Sequence, residues 1–238
     1  MNIFSSRQYI LCQFADSGKY LHAMRTWEKK FKQMGFTHAY FWSDYKKILD
    51  SFVVKNYIKN IHDLYAYSFS TKTKHELYGR PSRPFCAAVK AIMLLHAMKS
   101  SSDGDFVMWA DAKQITSKKN IIVSVAKQLM FRNISAYGIV HPYRFSNDDY
   151  NAPCYLNNAA YSKIDYKHPR VVSETSLDSF GYMIKSRDEF LLAPHVLTSN
   201  MIFVNSKYTR SLVWKWLLMA LESPVGFCAS NTQDQAAW

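Results

Sequence analysis

The residues best suited to chemistry lie together in residues 103–113, which read DGDFVMWADAK. The pattern predicts a turn and a short apolar strand, with Asp111 at the strand's carboxyl end. Ligands of open α/β sheets bind in the crevice outside the carboxyl ends of the strands. A carboxylate at that position can hold a divalent metal against a phosphorylated ligand. Asp111 is therefore a site candidate, and the alternative is that it only caps a following helix.

The elements that must position Asp111 follow from the hydrophobic pattern. Apolar runs at Gln8–Phe14, His38–Trp42 and Phe106–Trp109 predict three buried strands. Helical spacing predicts a helix over Lys19–Met34 and a second over Phe85–Lys99, which is apolar nearly all round and therefore central. This alternation of strands and helices predicts an α/β fold with a mainly parallel sheet.

The later chain gives fewer assignments. Ala136–Val140 and Ser199–Asn205 read as strands, and Thr209–Leu221 reads as an amphipathic helix. Residues 45–79 are polar and rich in Tyr, and they give several short helical patterns without a firm assignment. On the apolar helix, Lys90 is expected to extend its ammonium group to solvent.

Charge limits the classes of partner. The chain has 238 residues with 30 Lys and Arg against 18 Asp and Glu, a net charge of +12. This balance favours polyanionic partners: nucleic acid, an anionic membrane face or phosphorylated substrates.

Compartment and membrane topology are predicted from the cysteines and the apolar runs. The four cysteines are widely spaced and form no Cys-x-x-Cys pair, which disfavours a zinc site and indicates reduced thiols. Met1–Phe14 lacks the charged start and long apolar run of a signal peptide. Phe85–Met98 is too short to span a bilayer. We expect a cytoplasmic protein that is soluble or peripheral.

The order of several motifs resembles a known enzyme family. Gly104-Asp105, an apolar strand, Asp111-Ala112, the strand Ser199–Asn205, a Trp-bearing helix and a closing Asp234-Gln235 follow one another. In this order the chain resembles GT-A type nucleotide-sugar glycosyltransferases of bacteria and large viruses, whose Asp-x-Asp motif is shortened. Arg83-Pro84-Phe85 resembles the Lys-Pro-aromatic segment that precedes their metal strand. The resemblance covers most of the chain from Tyr9 onward.

The resemblance implies a role for each matching residue. The end of the first strand matches the segment that contacts the nucleotide base and ribose in the family. In this chain that segment consists of Gln13, Phe14, Ala15 and Asp16. Asp111 would bind metal, Mn²⁺ or Mg²⁺, together with the diphosphate, and Arg83 would suit a phosphate contact. Asn200 matches a region that faces the sugar or acceptor. Asp234 and Gln235 match the catalytic pair near the transferred sugar.

Two positions depart from the family pattern. A second acid is expected two residues from Asp111, but Trp109 and Lys113 stand there. Gln233 stands where the family often has a His beside the closing pair. Either water and substrate complete the metal shell, or Lys113 neutralises part of the diphosphate charge, and we expect metal dependence to be weaker than usual. Family members also continue through a further helix, and the sequence leaves open whether this chain extends past Trp238.

These inferences combine into one prediction. The chain is expected to be a single α/β GT-A type domain over 1–238, with a mixed, mainly parallel central sheet flanked by helices. Its nucleotide-binding half would span about 1–115 and its acceptor half about 116–238. It would transfer a sugar from a nucleoside diphosphate sugar, with UDP favoured, to a hydroxyl of a glycan or related acceptor.

The expected partners are the donor, the acceptor and, peripherally, an anionic membrane face; nucleic acid is not expected. Two alternatives stay open at this point. One is a non-catalytic basic protein that binds nucleic acid or anionic glycan. The other is a degenerate, inactive transferase.

Overall fold

The computed structural model describes residues 7–16, 18–59, 61–62, 88–112, 128–129, 135–140 and 196–222. The chain forms two compact units. One consists of Met1–Ile61, Val89–Gly138 and Ser199–Leu217, and the other of His62–Ala88, Ile139–Thr198 and Leu218–Trp238. All the residues discussed below as a site belong to the first unit.

The strands of the sheet are β1 (Tyr9–Phe14), β2 (His38–Trp42), β3 (Phe106–Ala110), β4 (Ala136–Val140) and β5 (Val196–Val204). The helices are α1 (Gly18–Lys30), which continues into a 3-10 turn (Phe31–Met34), α2 (Tyr45–Leu49), α3 (Phe52–Tyr57), α4 (Val89–Lys99) and α5 (Lys207–Glu222). The predicted strands are confirmed, and α2 and α3 lie within residues 45–79, for which the hydrophobic pattern supported no firm assignment. Among the described residues, no helix has the length and apolarity needed to cross a membrane.

The sheet has the strand order β2-β1-β3-β5-β4. β1 pairs in parallel with β2 and with β3, whereas β3 pairs antiparallel with β5. Helices flank this sheet, so the prediction of an α/β fold with a mixed, mainly parallel sheet is confirmed.

The two faces of β1 are covered by different helices. Leu11 faces a cluster that includes Met34 and Phe31 from the end of α1. The next residue, Cys12, points to the other face, where its Sγ lies 3.8 Å from the carbonyl oxygen of Met93 in α4. Because both faces are buried, these strands read as continuous apolar runs rather than as alternating ones.

Two titratable groups on the α4 face are held neutral by burial. Burial raises the pKa of the Cys12 thiol, so the thiol behaves as a small apolar group. His96 of α4 packs edge-on to Tyr40 and Trp42, with ring centroids 5.1 and 5.0 Å away, and burial lowers its pKa. Both groups serve packing rather than proton transfer.

Polar side chains fasten the sheet at the amino ends of β1 and β3. The buried Asp105 carboxylate accepts hydrogen bonds from the backbone N–H groups of Gln8 (3.0 Å) and Ser102 (2.9 Å). Asn205, which follows β5, is also buried, and its Oδ1 accepts a hydrogen bond from Arg210 at 2.8 Å. These hydrogen bonds of Asp105 and Asn205 hold the amino ends of β1 and β3 together. Asp105, which belongs to the family-like motif, therefore has a structural role.

Local capping explains where the helices begin and end. The 3-10 turn stops at Gly35, whose φ of 95° is the left-handed conformation expected of a glycine after a helix. Asp44 caps α2 by accepting from the Lys46 N–H at 2.8 Å. α5 begins two residues before the predicted Thr209, because Ser206 Oγ accepts from the Thr209 N–H at 3.1 Å and makes Ser206 the cap.

Gly104 offers a test of the turn that leads into β3. Its φ is 86°, and a Cβ added there would lie 2.0 Å from Arg7 Nη1, which donates to the carbonyl of Asp103 at 2.7 Å. We expect Gly104→Ala to lower the free energy of unfolding by about 1–2 kcal/mol for the backbone strain and by up to about 1 kcal/mol more for the displaced hydrogen bond. Urea denaturation measures both terms.

The matched control is Gly18→Ala, because Gly18 also has a positive φ, 56°, but has nothing within 4 Å of the added Cβ. Equal losses in the two variants would contradict a contribution from the Arg7 contact.

Candidate functional site

The strand order reverses between β1 and β3, and their carboxyl ends are where an open α/β sheet is expected to have a ligand crevice. From β1 the chain crosses to β2 on one side, and it later returns to β3 on the other side of β1. The connecting helices α1 and α4 lie on opposite faces of the sheet, so they diverge between β1 and β3. Such a point, where the strand order reverses, is where ligands bind in open α/β sheets.

Asp111 lies immediately after β3 at this crevice. Its Oδ1 accepts a hydrogen bond from Trp109 Nε1 at 2.7 Å and lies 3.4 Å from Lys90 Nζ. The ammonium of Lys90 also lies 5.6 Å from the centroid of the Trp109 ring, a cation–π distance. Asp111 keeps 31 % of its side chain exposed, so solvent and ligands reach it. We refer to these three residues as the Lys90 triad.

The prediction that Lys90 extends to solvent is wrong. Its side chain is only 6 % exposed, and nine of the eleven residues of α4 are buried. An ammonium in such a helix has no short path to water, so a carboxylate and an aromatic ring stabilise its charge instead. The structure thus places a buried cation beside Asp111, at the carboxyl end of β3.

Gln13 and Asn200 occupy the opposite face of the same edge. Ala110 pairs with Asn200 across β3 and β5, and Gln13 is one step beyond the Cys12–Trp109 pair of β1 and β3. The three residues therefore form a row in which only the Ala110 methyl group separates two carboxamides. Strand spacing puts the backbones of Gln13 and Asn200 about 10 Å apart.

Gln13 is fully buried, and neither its Oε1 nor its Nε2 has a hydrogen-bond partner within the described part of the chain. Buried polar groups are nearly always paired, and each unpaired one costs about 1–3 kcal/mol. An amide whose donor and acceptor both lack partners among the described residues, kept at this cost near the carboxyl end of β1, is a feature expected near a functional site rather than in a core.

The remaining predicted residues of β1 lie at its exposed end. Phe14 packs against Tyr45 with ring centroids 5.1 Å apart, and the Tyr45 hydroxyl donates a hydrogen bond to the Asp16 carboxylate. The Ala15 N–H extends the sheet by bonding the carbonyl of Trp42 at 3.1 Å. Asp16 is exposed, so an aromatic surface and a carboxylate lie side by side at the ends of β1 and β2.

The structure therefore brings Gln13, Phe14, Ala15, Asp16, Asp111 and Asn200 to one edge of the sheet, with Asp111 facing α4 and Gln13 facing α1. Four predicted site residues lie outside the described residues: Arg83, Lys113, Asp234 and Gln235. Their assignments stay predictions.

The described donors do not fit a divalent cation held by the protein. Asp111 supplies one carboxylate, and its Oδ1 already faces an ammonium 3.4 Å away, which would repel a cation bound to the same group. Within the described ranges, no three His, Cys, Asp or Glu side chains gather as metal ligands. The expectation of Mn²⁺ or Mg²⁺ at Asp111 stays a prediction that these donors do not favour.

Sequence reasoning missed two members of this edge, Lys90 and Tyr45. A charged residue on a helix that is apolar all round was a usable signal, because such a residue needs a buried partner. Tyr45 follows the Asp44 cap directly after β2, and the strand order that brings it beside Phe14 could not be known from the pattern alone.

Replacing the unpaired amide tests whether Gln13 is kept at a cost in stability. We expect Gln13→Met, which keeps the volume and removes both polar atoms, to raise the free energy of unfolding by about 1–2 kcal/mol. Leu11→Met is the control, because Leu11 is also fully buried on the same strand and face. We expect Leu11→Met to lower the free energy of unfolding by up to about 1.5 kcal/mol. Urea denaturation in which Gln13→Met is no more stable than wild type would contradict the assignment.

No protein-family model, curated protein or solved structure matches this chain. The resemblance to GT-A transferases therefore depends on the motif order given above, and the chemistry must be argued from the described residues of the carboxyl edge.

Proposed function

We propose that the chain is a glycosyltransferase that binds a nucleoside diphosphate sugar in the crevice between β1 and β3 and transfers the sugar to a hydroxyl of a glycan or related acceptor. The observation that carries this proposal is the Lys90 triad. It provides a buried cation and a partly exposed carboxylate where a parallel sheet reverses its strand order.

Lys90 suits a diphosphate. A buried ammonium interacts with an anion more strongly than an exposed one, because little water screens it. Its ion pair with Asp111 keeps the charge balanced before a ligand arrives. A phosphate that approaches the exposed side of Asp111 would then share the Lys90 ammonium with the carboxylate.

The ends of β1 and β2 suit a nucleoside. Aromatic rings stack on bases of any identity, and the Phe14–Tyr45 pair provides such rings. The exposed Asp16 carboxylate can accept hydrogen bonds from ribose hydroxyl groups, a role that acidic residues play in other nucleotide sites.

In the proposed reaction, the bond between the anomeric carbon and the diphosphate oxygen breaks, and its electron pair stays on the diphosphate. The acceptor hydroxyl oxygen bonds to the anomeric carbon and releases its proton. The negative charge that develops on the leaving diphosphate is what Lys90 would stabilise, as fixed cations do for leaving groups elsewhere. Asp234 and Gln235 remain the proposed residues at the sugar.

Donor hydrolysis and transfer test the proposal directly. Release of nucleoside diphosphate from UDP-, GDP- and CDP-sugars is measured for wild type, Asp111→Asn and Lys90→Met. We expect at least one donor to turn over. Lys90→Met should lower kcat/KM by about 100-fold or more, because it removes the cation at the leaving group. Asp111→Asn should lower kcat/KM as well, because the Lys90 ammonium loses the carboxylate that pairs with it at 3.4 Å and holds it in place.

The chain offers a matched control for each variant. Asp103→Asn removes an acid from the same stretch, paired with Arg210 at the amino edge, and Lys99→Met removes a lysine from the exposed end of α4. Both should keep wild-type kcat/KM. Nucleotide binding without turnover of any donor would favour an inactive transferase, and no nucleotide binding at all would sink the proposal.

Metal removal tests how the diphosphate charge is balanced. We expect wild type treated with a chelator to retain most of its turnover, because Lys90 rather than a divalent cation would face the leaving group. Lys90→Met should become dependent on added Mn²⁺ or Mg²⁺ if Asp111 can then bind a cation without repulsion. Complete loss of wild-type turnover in chelator, restored by metal, would contradict this role of Lys90.

A further inference from the structure

An exposed aromatic cluster lies on α3 and α5, away from the crevice. Phe52 and Tyr57 keep 48 % and 50 % of their surface exposed. Their ring centroids are 5.8 Å apart, and Tyr57 lies 6.0 Å from the ring of Trp214. The ammonium of Lys99, at the end of α4, lies 5.5 Å from the Tyr57 centroid. We call these four residues the aromatic patch.

The core does not use these rings. α3 anchors itself through Val53 and Val54, which are buried, while Phe52 and Tyr57 point outward from the same short helix. Scattered exposed apolar residues are normal, but contiguous exposed rings are typical of interaction surfaces. The patch is therefore a candidate surface for a partner with an apolar component.

The segments that carry the patch are basic. Residues 50–59, 96–99 and 211–217 contain four Lys against one Asp, an excess of three positive charges. Asp50 is already paired with Lys55. The partner should therefore combine negative charge with an apolar layer.

The orientation of the rings indicates which of two anionic partners, a lipid bilayer or a nucleic acid, fits the patch better. The Phe52–Tyr57 and Tyr57–Trp214 planes meet at 76° and 80°, so successive rings do not present the parallel faces on which neighbouring bases stack. Lys99 also lies over one face of Tyr57. Insertion into the headgroup layer of a bilayer requires no stacking, and Trp, Tyr and Lys are the residues enriched at that depth.

We propose that the aromatic patch docks the chain on an anionic lipid bilayer. Phe52 and Tyr57 enter the interface between headgroups and acyl chains, and Lys99 with the surrounding lysines binds the anionic headgroups. Apolar insertion and charge attraction add together in peripheral binding. This inference is independent of the proposed transferase activity.

Vesicle sedimentation tests the proposal with the full chain. Binding is measured to phosphatidylcholine vesicles with and without phosphatidylserine. We expect wild type to bind only the mixed vesicles. Phe52→Ser with Tyr57→Ser should lower the partition coefficient by about tenfold, and Lys99→Glu should lower it by a similar factor of about ten.

The matched controls use a second exposed aromatic–lysine pair. Tyr20 is 47 % exposed on α1, and Lys19 Nζ lies 5.9 Å from its ring centroid. Tyr20→Ser and Lys19→Glu remove the same groups outside the patch, and we expect them to have much smaller effects. Melting curves verify that all variants fold, and the single variants Phe52→Ser and Lys99→Glu keep the test valid if the double variant does not.

Three outcomes would overturn the proposal. The first is equal binding to vesicles with and without phosphatidylserine. The second is equal losses from the patch variants and the controls. The third is binding to a single-stranded oligonucleotide that the patch variants abolish, with no binding to vesicles, because the patch would then be a nucleic-acid surface.

Discussion

The pairing of β1 in parallel with both β2 and β3 constrains the rest of the described structure. Parallel neighbours need crossover connections, and here α1 and α4 cover opposite faces of the sheet. Both faces of β1 are therefore shielded from solvent. This is why Leu11 and Cys12 are both fully buried although their side chains point in opposite directions. The same arrangement makes the carboxyl ends of β1 and β3 the expected position of a ligand crevice, because the two covering helices lie on opposite faces there.

The two ends of this parallel unit treat buried polar groups differently. At the amino edge, Asp105, Asn205 and Thr209 are all buried and all hydrogen-bonded, although the buried Nε of Arg7 has no partner among the described residues. At the carboxyl edge, Gln13 is buried with neither amide atom paired in the described chain, and Lys90 is buried against a carboxylate that is itself partly exposed. Satisfied polar groups stabilise a fold, whereas polar groups left unsatisfied mark places where stability is given up for another purpose.

Much of the sheet could be predicted because its strands are short apolar runs between clear turn residues. The bounds of β2 match the predicted His38–Trp42, and β3 ends one residue beyond the predicted Trp109. Pairing was harder to predict: nothing in Ser199–Asn205 shows that β5 runs antiparallel to β3, because direction depends on the connection rather than on the strand. The exposure of Lys90 was predicted wrongly for a related reason, because it depends on which elements cover α4, and the pattern of α4 itself does not contain that information.

The Lys90 triad can be compared with the metal site it resembles by counting charge. Two carboxylates and a divalent cation sum to zero, and so do Asp111 and Lys90. A lysine buried in α4 therefore does electrostatically what the missing acid and a metal would do together, without requiring either. The Lys90 ammonium has a lower charge density than a divalent cation. Its charge is nevertheless held in place by α4 and poorly screened by water, which strengthens its effect on a nearby anion. The absence of a second acid two residues from Asp111 therefore does not argue against the proposed phosphate chemistry, because Lys90 would supply a positive charge from the chain itself.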